Sequence, residues 1–580
     1  MTMLYPQSNP FRQHIDLSGF WDLRFDLAGT GTAAGFPNGF SDGRPAAVPA
    51  SWNDQFEDMR DYLGHTWYQT TFDLPWGWDA ALQHIRVRFG SVNYLAEVWL
   101  NGIRLGAHEG GHLPFEFDLT PHVRDEGNRL VVCVEGELAP DRVPPGAIPP
   151  NPSDSFASTS FPDASFDFFP FCGIHRPVLL YAVPRESITD LTVVSEVVGR
   201  KARLHMNLKR LGNDKVTARL ALRGTDASAE TTFASEEAEV VLEVADPVLW
   251  SPSSPHLYAL IVELERDGSI FDRYTLPVGI RTIAVDGDQL LLNGDPVHLR
   301  GFGRHEDFPV TGRGLVPAVI IKDFALMNWL GANSFRTTHY PYSEEMMNLA
   351  DRLGFLVIDE TPAVGLFFAE AGLERRLALC RQYTEELIDR DKNHPSVIMW
   401  SLANEPHSRR PEAKPFFRNL YDLARSLDPS RPVTVVSHVG VDEESFEFLD
   451  VLCLNRYYGW YTQSGQLDAA LPLLSEELDA LHARFPKPLI MTEFGADTIP
   501  GHHAQPPEMF SEEFQAEMLS RYIELFKTKP YIVGEHIWNL CDFKTGQSPI
   551  RMGGLNMKGI FTRDRRPKLA AHRIREMWQG

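Results

Sequence analysis

The chain reads as a multidomain α/β protein in three parts: a β-sandwich over residues 1–185, a smaller immunoglobulin-like β-sandwich over 186–283, and a (β/α)8 TIM barrel over 284–580. Three observations carry that reading. Apolar residues alternate with period two as far as about residue 283, with no convincing helix. Beyond it the pattern becomes strand, loop, helix, repeated until eight strand-like runs have passed. At 580 residues the chain is also too long for one hydrophobic core.

In the first part, Ile85, Val87 and Phe89 alternate, and so do Ala96, Val98 and Leu100, which run into the hairpin-type pair Asn101-Gly102. In the second, the alternation continues through Ala202, Leu204, Met206 and Leu208 and through Val216, Ala218, Leu220 and Leu222, which suits a small immunoglobulin-like sandwich. In the third, the spacing predicts strands at 296–300, 332–336, 354–359, 396–403, 432–437, 450–455, 488–492 and 531–538. Helical patterns lie between them, such as Phe417, Leu420, Ala424 and Leu427, closed by Asp428-Pro429.

Composition narrows the function classes. With 43% apolar and 23% charged residues the chain is globular. A formal charge of −23 argues against nucleic acid and against an anionic membrane as partners, since either needs a basic face. No run of about 18 apolar residues is present, and the first ten residues lack a basic and apolar leader pattern, so a cytoplasmic protein without a membrane span is expected. The five cysteines, Cys133, Cys172, Cys380, Cys453 and Cys541, are scattered through mostly apolar runs and read as reduced, packed thiols. No metal or cofactor is expected: His502-His503 sits in a Pro/Gly loop without a third ligand.

The active site of a (β/α)8 barrel lies at the C-terminal ends of its strands. Collected there are Arg304 and His305, His339 and Tyr340, Asp359 and Glu360, Asn404 and Glu405, His438, Asn455 and Tyr457, Glu493, and Trp538 with Asn539. Glu405 and Glu493 each end a strand apolar enough to be buried on both faces. A charge in such a place is either well paired or chemically active, and two of them suggest a carboxylate pair. Carboxylates, amides, hydroxyls and aromatic faces together are the residue types that bind sugars, and a carboxylate pair among them is the machinery of glycoside hydrolysis. Arg304, His305 and His438 read as structural hydrogen-bonders, while Asp359 and Glu360 are either supports behind the site or part of it.

The runs Asn393-His-Pro-Ser-Val-Ile-Met-Trp-Ser-Leu-Ala-Asn-Glu405-Pro, Leu454-Asn-Arg-Tyr-Tyr-Gly-Trp-Tyr461, Thr492-Glu493-Phe-Gly-Ala-Asp-Thr and Lys558-Gly-Ile-Phe-Thr-Arg-Asp-Arg-Arg-Pro-Lys568 resemble β-glucuronidases of glycoside hydrolase family 2. The resemblance covers essentially the whole chain. It implies a jelly-roll, sugar-binding-like first sandwich and a retaining mechanism, with Glu405 as general acid/base and Glu493 as nucleophile. The acid then has to keep its proton near neutral pH, which calls for a raised pKa. The resemblance further makes Asn404 the ligand of the sugar 2-hydroxyl, His339 and Asn455 sugar contacts, Tyr457 and Tyr461 the tyrosines flanking the nucleophile, and Trp538 the wall of the sugar site. Asp167 becomes a loop aspartate that reaches in from the first domain.

A glucuronide differs from a glucoside by a carboxylate, whose recognition needs a cation and hydrogen-bond donors. Asn556 and Lys558, with Arg551 upstream, supply them, and the Asn-X-Lys pattern resembles that of glucuronidases. The implied partner is a small glucuronide or oligosaccharide, and the family resemblance suggests a homo-oligomer. A β-galacturonidase or dual-specificity uronidase would share the clamp. A carbohydrate-binding protein without catalysis is disfavoured because both carboxylates are present. Two departures from the family pattern stand out. The segment from Gly365 to Arg376 is short, which predicts an open mouth tolerant of bulky aglycones. The spacing from Arg551 to Asn556 is one residue longer than the family pattern.

Overall fold

The computed structural model describes residues 4–148, 160–368 and 371–579; residues 369–370 of the short segment lie outside them. The first sandwich has a four-stranded sheet ordered Gln13–Asp16, Val178–Pro184, Gln83–Phe89, Phe115–Asp118. It packs on a six-stranded sheet ordered Arg44–Val48, Gly19–Phe25, Thr66–Phe72, Asn128–Glu135, Leu95–Leu100, Ile103–Glu109. The alternating residues Ile85, Val87, Phe89, Ala96, Val98 and Leu100 all face one buried core. Asn101 and Gly102 turn the chain between the last two strands at φ 53° and 84°, the left-handed region that Asn and Gly enter most easily.

The second sandwich pairs a three-stranded sheet (Ile188–Val198, Lys201–Arg210, Glu237–Ala245) with a four-stranded one (Ser228–Phe233, Val216–Arg223, Tyr258–Arg266, Ser269–Val278). Strand Lys201–Arg210 points Ala202, Leu204, Met206 and Leu208 inward, each at most 3% exposed, the pattern of a sheet buried on one face.

The barrel closes through eight parallel strands: β1 (Leu299–Gly303), β2 (Ser334–Arg336), β3 (Leu356–Glu360), β4 (Val397–Asn404), β5 (Val433–Ser437), β6 (Leu452–Asn455), β7 (Leu489–Glu493) and β8 (Ile532–Ile537). Their residues are almost all buried, which is why they read as continuous apolar runs rather than alternating ones. Two expectations need correction. The first strand begins at Leu299, not at residue 296: Asp295–Pro296 instead pairs with Gln289–Leu292 in a small outer sheet, where a proline without an N–H costs no barrel bond. The fifth unit also lacks a helix. The residues that join β5 to β6 form two 3-10 turns instead, Gly440–Asp442 and Glu444–Glu447.

The first sandwich is locked onto the barrel. Arg88 donates to both Glu344 oxygens at 2.7 and 3.0 Å across a buried junction. Its segment near Phe161 exchanges backbone bonds with Gln547, beyond β8. Phe168 packs against His305 and His339. These contacts bring Asp167 to the mouth of the barrel.

Candidate active site

At the C-terminal ends of the strands lies a cavity of about 280 Å³. Its lining holds Asp167, His339, Asn404, Glu405, Tyr457, Tyr461, Glu493, Trp538, Arg551, Asn556 and Lys558, contributed by segments nearly 400 residues apart. Asn455 lies one layer behind, 2% exposed. Its Nδ2 donates to Glu405 Oε1 at 2.8 Å and to Asn404 Oδ1 at 3.2 Å, and its Oδ1 accepts from Thr492.

The two glutamates sit in different environments. Glu493 ends β7 and is 4% exposed. Its Oε1 accepts from Arg336 Nη2 at 2.6 Å and its Oε2 from the Tyr457 hydroxyl at 2.6 Å. Burial raises its pKa above the ordinary carboxylate range; Arg336 pulls against that rise, and the neighbouring Glu405 adds to it. Glu405, just past β4, is only half-buried. Its backbone turns at φ 46°, a conformation that costs a β-carbon residue of order 1 kcal/mol or more. The turn is held by a bond from its N–H to Val436 O at 2.8 Å.

Arg336 organises this end of the site. Fully buried, it gives Nη1 to both Glu360 oxygens at 2.8 and 2.9 Å and Nη2 to Glu493. Glu360 also meets His339 Nδ1 at 3.0 Å and accepts from Ser401 Oγ at 2.8 Å. Burial would raise the Glu360 pKa, but Arg336, His339 and Ser401 hold it below the usual value. Asn404 accepts on Oδ1 from both Arg336 and Asn455, which leaves its Nδ2 as a donor for a ligand. The Trp538 ring stacks on His339, centroids 4.9 Å apart.

The other end is a charge cluster. Lys558, 1% exposed, donates Nζ to Asp497 and, at 2.8 Å, to the Tyr461 hydroxyl. Arg551 gives Nε and Nη2 to Asp167, Nη1 to Asp497 at 3.3 Å and Nη2 also to Tyr461 at 2.9 Å. Asn556 Nδ2 donates to Asp167 at 2.8 Å, and its Oδ1 accepts from Lys558 N. Burial favours the neutral form of Asp497, yet Lys558 and Arg551 hold its pKa below the ordinary value. Two cations and two aspartates balance here before any ligand arrives.

Sequence reasoning missed Arg336 and Asp497 and left Glu360 undecided. Arg336 closes a predicted strand and Asp497 stands four residues after Glu493, but neither reveals its partners along the chain. Arg304 pairs with buried Asp323, and His305 packs between Trp538 and Phe543, so both are structural. His438, read as structural, lines the mouth together with His407. Asp359 is buried behind the site, bonded to Thr337.

With that geometry in view, comparison with known proteins gives a consistent result. Residues 283–580 match the family model described as "Glycosyl hydrolases family 2, TIM barrel domain", residues 16–184 its "sugar binding domain", and residues 186–281 "Glycosyl hydrolases family 2". The chain is 40% identical over 592 residues to a β-glucuronidase of Paenibacillus borealis, covering 99% of this chain and 98% of that one. An uncultured Clostridium sp. β-glucuronidase superposes with a TM-score of 0.92 at 39% identity over the full length of both chains. A Ruminococcus gnavus β-glucuronidase in complex with D-glucuronic acid superposes at 0.93 and 37%, covering 100% of this chain and 99% of that one.

Proposed function

Because the chain belongs to glycoside hydrolase family 2, we propose that this glycoside hydrolase is an exo-acting, retaining β-glucuronidase that releases glucuronate from β-D-glucuronides by double displacement. The observation that carries the reading is the position of buried Lys558 and Asn556 in the same cavity as Glu405 and Glu493. It offers a cation and an amide to a carboxylate at one end and a carboxylate pair to an anomeric carbon at the other. The names borne by its full-length relatives point the same way.

In this mechanism Glu493 attacks the anomeric carbon while Glu405 protonates the departing oxygen. Arg336 and Tyr457, bonded to separate oxygens of Glu493, fix its orientation in the free enzyme. Once the glycosyl ester has formed, Glu493 carries no charge, and Glu405, now deprotonated, takes a proton from the water that resolves the ester. Asn455 holds Glu405 through both steps, and Asn404 offers Nδ2 to the sugar 2-hydroxyl. The shortness of the segment from Gly365 to Arg376 in the sequence favours bulky aglycones.

The test uses nitrophenyl β-D-glucuronide and its β-D-galacturonide counterpart, with proton NMR of the first-formed anomer. Faster glucuronide turnover with β-glucuronate appearing first is expected. The α-anomer appearing first would refute retention, and a faster galacturonide would reassign the sugar. Glu493→Ala should lose more than about 10⁴-fold in kcat, with azide restoring turnover as an α-glycosyl azide.

A further inference from the structure

A second cavity, about 410 Å³, lies on the opposite side of the barrel from the catalytic cleft. It is enclosed between the edge strand Ile188–Val198 and segment 278–283 of the second sandwich and the entries to β4 and β5. Arg281 stands in its wall, 8% exposed. Its Nε donates to Pro395 O at 3.1 Å and its Nη2 to Val397 O at 2.7 Å. It bonds no carboxylate among the described residues, and its Nη1 has no acceptor there. Arg431 donates Nε to the same Val397 carbonyl, also at 2.7 Å, so two guanidinium groups converge on one oxygen. The nearby carboxylate, Asp428, is taken by Arg431 Nη1 at 2.7 Å.

A buried cation with no carboxylate bonded to it costs several kcal/mol, and here burial, followed by Arg431, pushes the guanidinium pKa down to about 9 against the weaker pull of Asp428 and Asp351. None of the other charges on the wall bonds to it. Lys392 is held by two carboxylates, Asp190 and Asp389, at 2.8 and 2.6 Å, which leaves one negative charge in excess around it, and Glu196 is engaged on the exposed side by His205 and Arg203.

The sheet edge adds donors. Strand Ile188–Val198 pairs on one side only, with Lys201–Arg210. On its open side Val193 N donates to Asn393 Oδ1 at 2.9 Å. Alternation along an antiparallel strand puts the N–H and C=O groups of Ser195 and Val197 on that same open side, and both residues line the cavity. The Asn393 side chain also donates to Leu191 O at 2.7 Å, which fixes this edge against the barrel.

We propose that this cavity is a binding site for a small oxyanion of phosphate type, received by the free Nη1 of Arg281 and the open N–H groups of Ser195 and Val197. A hydrogen phosphate accepts from these donors and gives its own proton to an edge carbonyl, a match that a permanently deprotonated anion lacks. The ligand bridges the second sandwich and the barrel, so its first effect is on stability. The site is independent of the reaction assigned to the catalytic cleft.

Unfolding midpoints of the full-length protein are measured at constant ionic strength with inorganic phosphate, with glycerol phosphate and with chloride. Crystals soaked in arsenate, which keeps a proton near neutral pH as phosphate does, are examined for anomalous signal. A saturable rise of about 2 °C or more with either phosphate but not chloride, and an anomalous peak within hydrogen-bond reach of Arg281, are expected. A response to both ligands identifies a site open to monoesters, and a response to inorganic phosphate alone identifies one closed to them. Arg281→Gln, which keeps an amide donor for the carbonyls, should weaken saturation at least tenfold. An unchanged saturation midpoint in that variant, no saturable rise in the wild type, or arsenate density only elsewhere would overturn the proposal. Should the variant fail to fold, the wild-type soak decides.

Discussion

Replacing Lys558 by Met tests the carboxylate clamp most directly. Methionine keeps a long apolar stem beside the Tyr461 and Trp460 rings, which the Lys558 nitrogen approaches to 4.9 and 5.7 Å from their centroids, so the charge goes while most packing stays. In the wild type Lys558 and Arg551 balance Asp497 and Asp167. A bound uronide adds one negative charge, and without Lys558 the cluster holds three anions against one cation. A charge-assisted hydrogen bond contributes about 1.5–3 kcal/mol, so kcat/KM for nitrophenyl β-D-glucuronide should fall roughly 10- to 150-fold at each tenfold per 1.36 kcal/mol. The neutral nitrophenyl β-D-glucoside makes no such bond, and its kcat/KM should change by less than about threefold. The ratio of the two is the readout, because misfolding or displacement of the nucleophile lowers both. An equal loss for uronide and glucoside would falsify the assignment of Lys558 to the substrate carboxylate.

Two pH effects follow from the same structure. Tyr457 donates to the charged form of Glu493, which lowers that carboxyl's pKa against the rise caused by burial. Tyr457→Phe should therefore move the acid limb of the kcat/KM profile to higher pH and lower its plateau by about 10- to 150-fold; an acid limb that stays in place contradicts the bond. His394 is opposed by burial, yet Asp351, bonded at 2.6 Å, raises it to about 9. The folded value lies above the unfolded one of about 6.5, so this pair's stabilisation is complete below about pH 6.5 and disappears as pH rises through about 9. The unfolding midpoint should decline over that window, and His394→Gln should flatten the decline.

Much of the barrel was legible because a parallel sheet buried on both faces writes its strands as unbroken apolar runs. The polar residues that end those runs, Asn404-Glu405 and Glu493 among them, then announce the site. The error at β1 came from Pro296 and Val297, apolar residues that belong to an outer hairpin. Arg336 was illegible for a different reason. Its significance lies in bonding Glu360 and Glu493 at once, and those partners stand 24 and 157 positions away. Asp497 is similar: its role depends on Lys558, 61 residues on, and on Arg551. Local pattern reveals where a charged side chain emerges; which opposite charge meets it is decided by barrel closure.

Those hidden partners explain how a chain of net charge −23 can receive an anionic sugar. The cleft is polarised along its length. Where the proposed mechanism places the reacting carbon stand Glu405 and Glu493, with Glu360 buried behind them and Arg336 as the cation shared by Glu493 and Glu360, an excess of negative charge even with Glu405 protonated. A glycosyl transition state develops positive charge at that carbon, and preorganised anions there favour it over the ground state. At the far end Lys558 and Arg551 are matched by Asp497 and Asp167, so a carboxylate meets a locally balanced cluster with donors to spare. A uronide bound in reverse would set its carboxylate against Glu493. On the proposed reading, orientation is therefore selected by the same charges that stabilise the reaction, and the global acidity of the protein is offset where the substrate carboxylate would lie.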